Sequence, residues 1–196
     1  MARPTKPPID DSYYRNYAGS GRSYDSVYRD YSYSEECAEL FSSGRYPRPK
    51  SLLVLGPATG RVLQDFHRDL GVKAWGCEIS EWAWERIPAE YRARVARASM
   101  IDYLSELRES GARLDLCFTN ALGYLATPTV DPVLNGLAHS TRYVHFRSSF
   151  LGAACPDPYR QTLKPYAWWV GRFEAAGFKT HFEADGSPLY LWESLR

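Results

Sequence analysis

The stretch Ser51 to Gly60, SLLVLGPATG, constrains this chain more than any other part of it. An apolar run closes on a glycine turn, and Glu78 closes a second apolar run eighteen residues after Gly60. That spacing fits a strand, a tight turn, a helix and a second parallel strand. Glycines at the turn let the backbone approach a bound group at the helix N-terminus, and the distant carboxylate can accept hydrogen bonds from two ribose hydroxyls. The pattern predicts an α/β sheet with a nucleotide-type ligand at its strand ends.

The rest of the body alternates accordingly. Gly60 to Leu70 reads as a helix with Val62, Leu63, Phe66 and Leu70 inward, and Lys73 to Cys77 as strand two. Ser80 starts a short helix ended near Pro88, Arg94 to Ala98 is a third strand, and Ile101 to Ser110 is a helix. Leu114 to Thr119 is apolar enough for a strand buried on both faces. Pro128 to Ala138 should be helical, Tyr143 to Phe150 is strand five, and Pro165 to Ala176 is the last helix, with Gly177 as its cap. Phe178 to Phe182 and Leu189 to Glu193 flank Asp185-Gly186, a hairpin signal.

The first fifty residues differ: they hold eight of the fifteen tyrosines, after a proline-rich start that reads as a flexible tail. Asp25 to Phe41 has helical spacing, and the Arg45 to Pro49 segment breaks it. The expected organisation is a tail and tyrosine-rich helical lid over residues 1–50 and a single α/β domain over 51–196.

A chain of 196 residues with 44% apolar content can bury one full core. Its net charge of +1 argues against a polyanion site, so no nucleic-acid partner is expected. Cys37, Cys77, Cys117 and Cys155 form no C-x-x-C pair, and the four histidines lack metal-ligand spacing, so the cysteines read as buried thiols and no metal is expected. No apolar leader or membrane-length run is present, which leads to the expectation of a cytoplasmic protein.

In detail the turn reads Gly56-Pro57-Ala58-Thr59-Gly60, with Arg61 where a dinucleotide fingerprint would carry glycine. Residues 50 to 196 resemble, in order, the class I (Rossmann-like) S-adenosylmethionine-dependent methyltransferases. LLVLGPATG is similar to that family's first motif and CEIS to its ribose-binding acid; ARASMIDYL resembles the adenine segment and DLCFTNALGYL the fourth strand with its active-site loop. WWVGRFEAAGF and PLYLWESL resemble the last helix and closing strands.

The resemblance implies a three-layer αβα sandwich with a seven-stranded, mostly parallel sheet and a C-terminal antiparallel hairpin. It implies S-adenosylmethionine as cofactor, held by Tyr17, Gly56, Pro57, Ala58, Gly60, Glu78, Ile79, Ser99, Met100 and Asn120. Two positions depart from the family: Val54 stands where an acid helps hold the methionine end, and Ser99 where an acid meets the adenine amino group. Serine can still accept a hydrogen bond, and Met100 can pack on the ring.

Methyl transfer asks mainly for alignment in a dry site, with a base needed only for a weakly nucleophilic acceptor. Tyr124, after strand four, is placed to wall the channel. His145 and Arg147 share one side of strand five, as a candidate base and a candidate carboxylate partner. Tyr13, Tyr24, Tyr28, Asp157 and Tyr159 are the candidate substrate contacts. The resemblance implies methyl transfer onto an O, N or C atom, and the expected acceptor is a small molecule, with secondary metabolism as a setting. The alternatives are a cofactor-binding protein that catalyses a step such as cyclisation, or a non-catalytic partner protein; oligomeric state stays open.

Overall fold

The computed structural model describes residues 9, 11–29, 31–42, 47–147, 157–183 and 189–196. The Asp185-Gly186 turn, the end of the expected fifth strand, Cys155, Arg45 and Tyr46 lie outside them.

Helices α1 (Asp11–Arg15), α2 (Tyr24–Val27) and α3 (Tyr33–Ser42) precede β1 (Ser51–Leu55), which leads into α4 (Arg61–Leu70) and β2 (Lys73–Cys77). There follow α5 (Glu81–Glu85), α6 (Ala89–Arg92), β3 (Val95–Ala96), α7 (Met100–Ser110), β4 (Leu114–Thr119), α8 (Thr127–Ser140) and β5 (Thr141–Arg147). Last come α9 (Tyr166–Ala175), β6 (Phe178–Glu183) and β7 (Leu189–Ser194).

The seven strands form one sheet in the order β3-β2-β1-β4-β5-β7-β6. β1 pairs in parallel with both β2 and β4, whereas β7 runs antiparallel to β5 and to β6. The three-layer sandwich with its antiparallel C-terminal pair is the expected fold.

Alternating side chains of β1 feed two cores. Leu53 and Leu55 join Leu104 of α7, Leu134 of α8 and Trp169 and Phe173 of α9. Leu52 and Val54 meet Phe66 of α4 and Tyr33 and Cys37 of α3 on the other face. Cys37, Cys77 and Cys117 are buried.

The main departure from the sequence reading lies before β1. The single helix expected over Asp25 to Phe41 is two helices, because α3 starts where the Tyr33 N–H donates to the buried Asp65 carboxylate of α4 at 3.1 Å. That tertiary acceptor adds to the local cap, in which the Ser32 hydroxyl accepts the Glu35 N–H at 3.3 Å. α3 therefore belongs to the packed helical layer, and only the residues before it lie over the strand ends.

The other shifts are at ends. β3 shrinks to the two residues that pair with Gly76 and Cys77, and β5 starts two residues early, at Thr141. α8 runs to Ser140 with Pro132 inside it. Gly177 sits just past the α9 cap at φ 92, where its N–H reaches the Glu174 carbonyl at 2.9 Å.

Candidate active site

The strand order reverses between β1 and β4, so their carboxyl ends part and leave a crevice. A cavity of about 410 Å³ occupies it, a size suited to a nucleoside-sized ligand.

Its floor is the turn after β1. Gly56, Ala58 and Gly60 all take positive φ, at 72, 53 and 89°. A Cβ on Gly56 would stand 3.0 Å from the Ala121 Cβ, so the close pass of the two strand ends needs a glycine there. Gly60 supplies the first carbonyl of α4, to Leu63 and Gln64. Gly56 and Ala58 line the cavity; Pro57 and Gly60 lie behind it and shape the turn without facing the space.

At the end of β2 the Glu78 carboxylate, 3% exposed, accepts the Ala58 N–H at Oε2 and the Ser80 N–H at Oε1, each at 2.9 Å. The Tyr14 hydroxyl is a further donor to it. Burial raises the Glu78 carboxyl to about 7, against the pull of the Ser80 and Ala58 N–H groups. Beside it, Ile79 is 68% exposed and Ile101 42%, an apolar rim continued by Met100.

Ser99 also lines the wall, but its hydroxyl is committed to capping α7: it accepts the Asp102 N–H at 3.2 Å and donates to the Asp102 carboxylate at 2.6 Å. Its proton is used in that cap, but a hydroxyl has two lone pairs and one remains, so toward a ligand Ser99 can accept and not donate. Asn120, across the crevice after β4, faces the cavity and makes no cap bond to the short helix that follows.

The far wall is aromatic. Tyr13, Tyr17, Tyr24 and Tyr28 from the N-terminal segment meet Tyr124 from the loop after β4. The Tyr17 and Tyr28 hydroxyls bond at 2.8 Å, and those of Tyr24 and Tyr33 at 3.1 Å. The Tyr13 hydroxyl donates to that of Tyr124 at 2.9 Å, and both reach the Asp157 carboxylate. Burial, ahead of the neighbouring phenols and Asp157, makes Tyr13 and Tyr124 far less acidic than an ordinary phenol, so neither ionises. The segment is fastened to the turn by Asp25, which accepts the Thr59 hydroxyl at 2.6 Å.

Four expected site residues are placed elsewhere. His145 is fully buried, stacked 5.0 Å from Phe118 with the rings 5° from parallel. Burial, then the nearby Arg147 charge, lowers it to about 3, which makes it a neutral core ring outside the cavity and not a general base. Arg147 donates to the Tyr31 hydroxyl and lies 5.2 Å over that ring, so it braces the N-terminal segment instead of meeting substrate. Asp157 and Tyr159 stand behind the tyrosine wall: Asp157 accepts the Tyr159 N–H at 2.9 Å, and the Tyr159 ring packs 4.8 Å from Tyr13.

Sequence reasoning missed Tyr14, Ile101 and Gln161, which also line the space. Ile101 adjoins Met100 and was within reach of the same argument; Tyr14 and Gln161 carry no local signal. Among the described residues, none of those lining the cavity is Lys, Arg or His, and no three His, Cys, Asp or Glu side chains converge as metal ligands would.

No family model matches the chain, and no curated protein matches it by sequence. Solved structures do. The sugar N-methyltransferase KedS8 from Streptoalloteichus sp ATCC 53650 aligns with TM-score 0.70 at 17% identity, covering 100% of this chain and 99% of its own. CalS10 from Micromonospora echinaspora, an amino pentose methyltransferase solved with SAM bound, gives TM-score 0.68 at 14% identity over 87% of this chain and 96% of that one. A TehB-like SAM-dependent methyltransferase from Corynebacterium glutamicum gives 0.63 at 15% over 93% and 95%. The fold is that of the class I Rossmann-like methyltransferases.

Proposed function

We propose that this chain transfers a methyl group from S-adenosylmethionine to an amino group of a small, sugar-like molecule. The observation that carries the cofactor is the buried Glu78 carboxylate beside the Gly56–Ala58 turn, opening on a cavity of about 410 Å³. The residues fit the group: a carboxylate for the ribose hydroxyls, an apolar rim of Ile79, Met100 and Ile101 for the base, and an open end at Gly56, Asn120 and Tyr17 for the amino-acid part.

When bound, the cofactor supplies a methyl group already activated on a sulfonium. The protein's part is to hold the acceptor in line and keep water out, and the tyrosine wall is suited to both. Aromatic faces stack on the C–H faces of a sugar, and phenols bond its hydroxyls. With a carboxylate behind it and no described cation lining it, the space suits an amine better than an anion. KedS8 and CalS10, whose names specify a sugar and an amino pentose, support that choice.

Calorimetric titration with S-adenosylhomocysteine tests the cofactor half. Binding should weaken by about 1 to 3 kcal/mol in Glu78→Ala, the loss of hydrogen bonds to a charged group. Tighter binding of NAD would overturn the assignment, and binding without transfer to any acceptor would favour a non-methylating member of the fold.

A further inference from the structure

Asp157 does not line the cavity, yet it is 8% exposed and joined to the two tyrosines that do. Its Oδ2 accepts the Tyr124 hydroxyl and, at 3.3 Å, the Tyr13 hydroxyl, while its Oδ1 accepts the Tyr159 N–H. The Tyr124 oxygen in turn accepts from Tyr13 at 2.9 Å. Three groups from distant parts of the chain thus form one hydrogen-bonded line from the cavity wall to a buried carboxylate. The charged and titratable groups around that line are Tyr14 and Tyr17 on the α1 side, Tyr159 on the loop itself, and Arg160, whose guanidinium lies 5.0 Å over the Tyr124 ring.

We propose that Asp157 is the terminal proton acceptor of the transfer reaction, acting through Tyr124 and not by touching the acceptor molecule. The inference rests on the methyl-transfer reading above. The amine enters neutral, and its lone pair forms the N–C bond as the C–S bond breaks, with that pair staying on sulfur. The nitrogen gains positive charge, so its N–H becomes acidic. That proton passes to the Tyr124 oxygen while the Tyr124 proton passes to Asp157 Oδ2. The products are the methylated neutral amine, the thioether and a protonated Asp157, which returns its proton to solvent after release. Tyr124 never becomes a tyrosinate, which matches a phenol that burial holds neutral. Tyr13 fixes the direction of the line by donating into it.

The test is single-turnover methyl transfer from S-adenosylmethionine to a panel of amino hexoses and amino pentoses, followed against pH in wild type, D157N, D157E and Y124F. D157N and Y124F should slow transfer by about a hundredfold. D157N should also erase the solvent deuterium isotope effect of the wild type, with partial rescue in D157E. Binding of S-adenosylhomocysteine, unchanged in every variant, establishes that the site is folded. Independently of turnover, Y124F should shift the infrared carboxylate bands of the S-adenosylhomocysteine complex, and that difference should vanish in the D157N background. Transfer by D157N at the wild-type rate and with the wild-type isotope effect overturns the relay and leaves the methyltransferase reading standing. Wild type that binds S-adenosylhomocysteine but methylates no member of the panel overturns the amine reading, and the relay with it.

Discussion

Ala58 and Glu78 are joined across the open end of the sheet: the Ala58 N–H donates to Glu78 Oε2 at 2.9 Å while Ala58 itself holds a φ of 53°. Among the described residues it is the one non-glycine with positive φ. The left-handed backbone turns the N–H toward the carboxylate, so a charge-assisted hydrogen bond offsets the steric cost of the alanine methyl.

Replacing that alanine with glycine should relieve the strain without disturbing the bond. Ala58→Gly is expected to stabilise the protein by about 0.5 to 1 kcal/mol, the left-handed penalty less the extra unfolded-state freedom of glycine. Guanidinium unfolding reads the gain, and S-adenosylhomocysteine affinity should be equal or better.

Glu78 makes both stability and binding depend on pH. Its carboxyl is raised from 4.5 to about 7, so the folded state binds this proton more tightly than the unfolded state does. The contribution is fully present below about pH 4.5 and is lost as pH rises through about 7, on the order of 3 kcal/mol in all. Binding has the opposite sign, because ribose hydroxyls donate to the ionised form. Affinity should fall by up to about tenfold per pH unit below 7, with one proton released per complex formed. Calorimetry in two buffers of different ionisation heat measures that proton.

Gly76, in β2, leaves no room for a side chain. A Cβ there would stand 2.2 Å from the Val54 carbonyl oxygen of β1, a backbone atom that no rotamer change can move. Gly76→Ala should cost at least about 3 kcal/mol, read as a lower guanidinium midpoint, because the central parallel pair has to shift.

Removing residues 1–31 should separate the wall from the core. Tyr33 and Cys37 remain to cover α4, so circular dichroism should show a folded sheet. Tyr13, Tyr14, Tyr17, Tyr24 and Tyr28 go with the deletion, and S-adenosylhomocysteine binding should weaken at least about tenfold as the cavity opens to water. In the full chain, hydrogen exchange over residues 12–29 should slow when that ligand is added.

What the sequence made legible was local. The strand runs Lys73–Cys77 and Leu114–Thr119 stand where the apolar patterning puts them, because the residues of each that are buried in the sheet are apolar or small, while Lys73 and Asp115 sit at the less buried N-terminal ends. The turn and its acid could be read for the same reason, as contiguous residues at a fixed spacing. His145 was misjudged because alternation gives the side of a strand but not what covers that side; Phe118, on the neighbouring strand, decides it. Tyr14 at Glu78, Arg147 at Tyr31 and the start of α3 at Asp65 depend on partners far away in the chain, and no window of sequence contains both halves.

The Tyr13–Asp157 hydrogen bond spans 144 residues. Closing so long a loop is entropically slow, so this part of the wall should be among the last to assemble, after the sheet that carries both of its sides. A nascent or partly unfolded chain can then hold a complete nucleotide turn and still present no enclosed space for an acceptor. Chemistry is in effect withheld until the two ends of the fold have met.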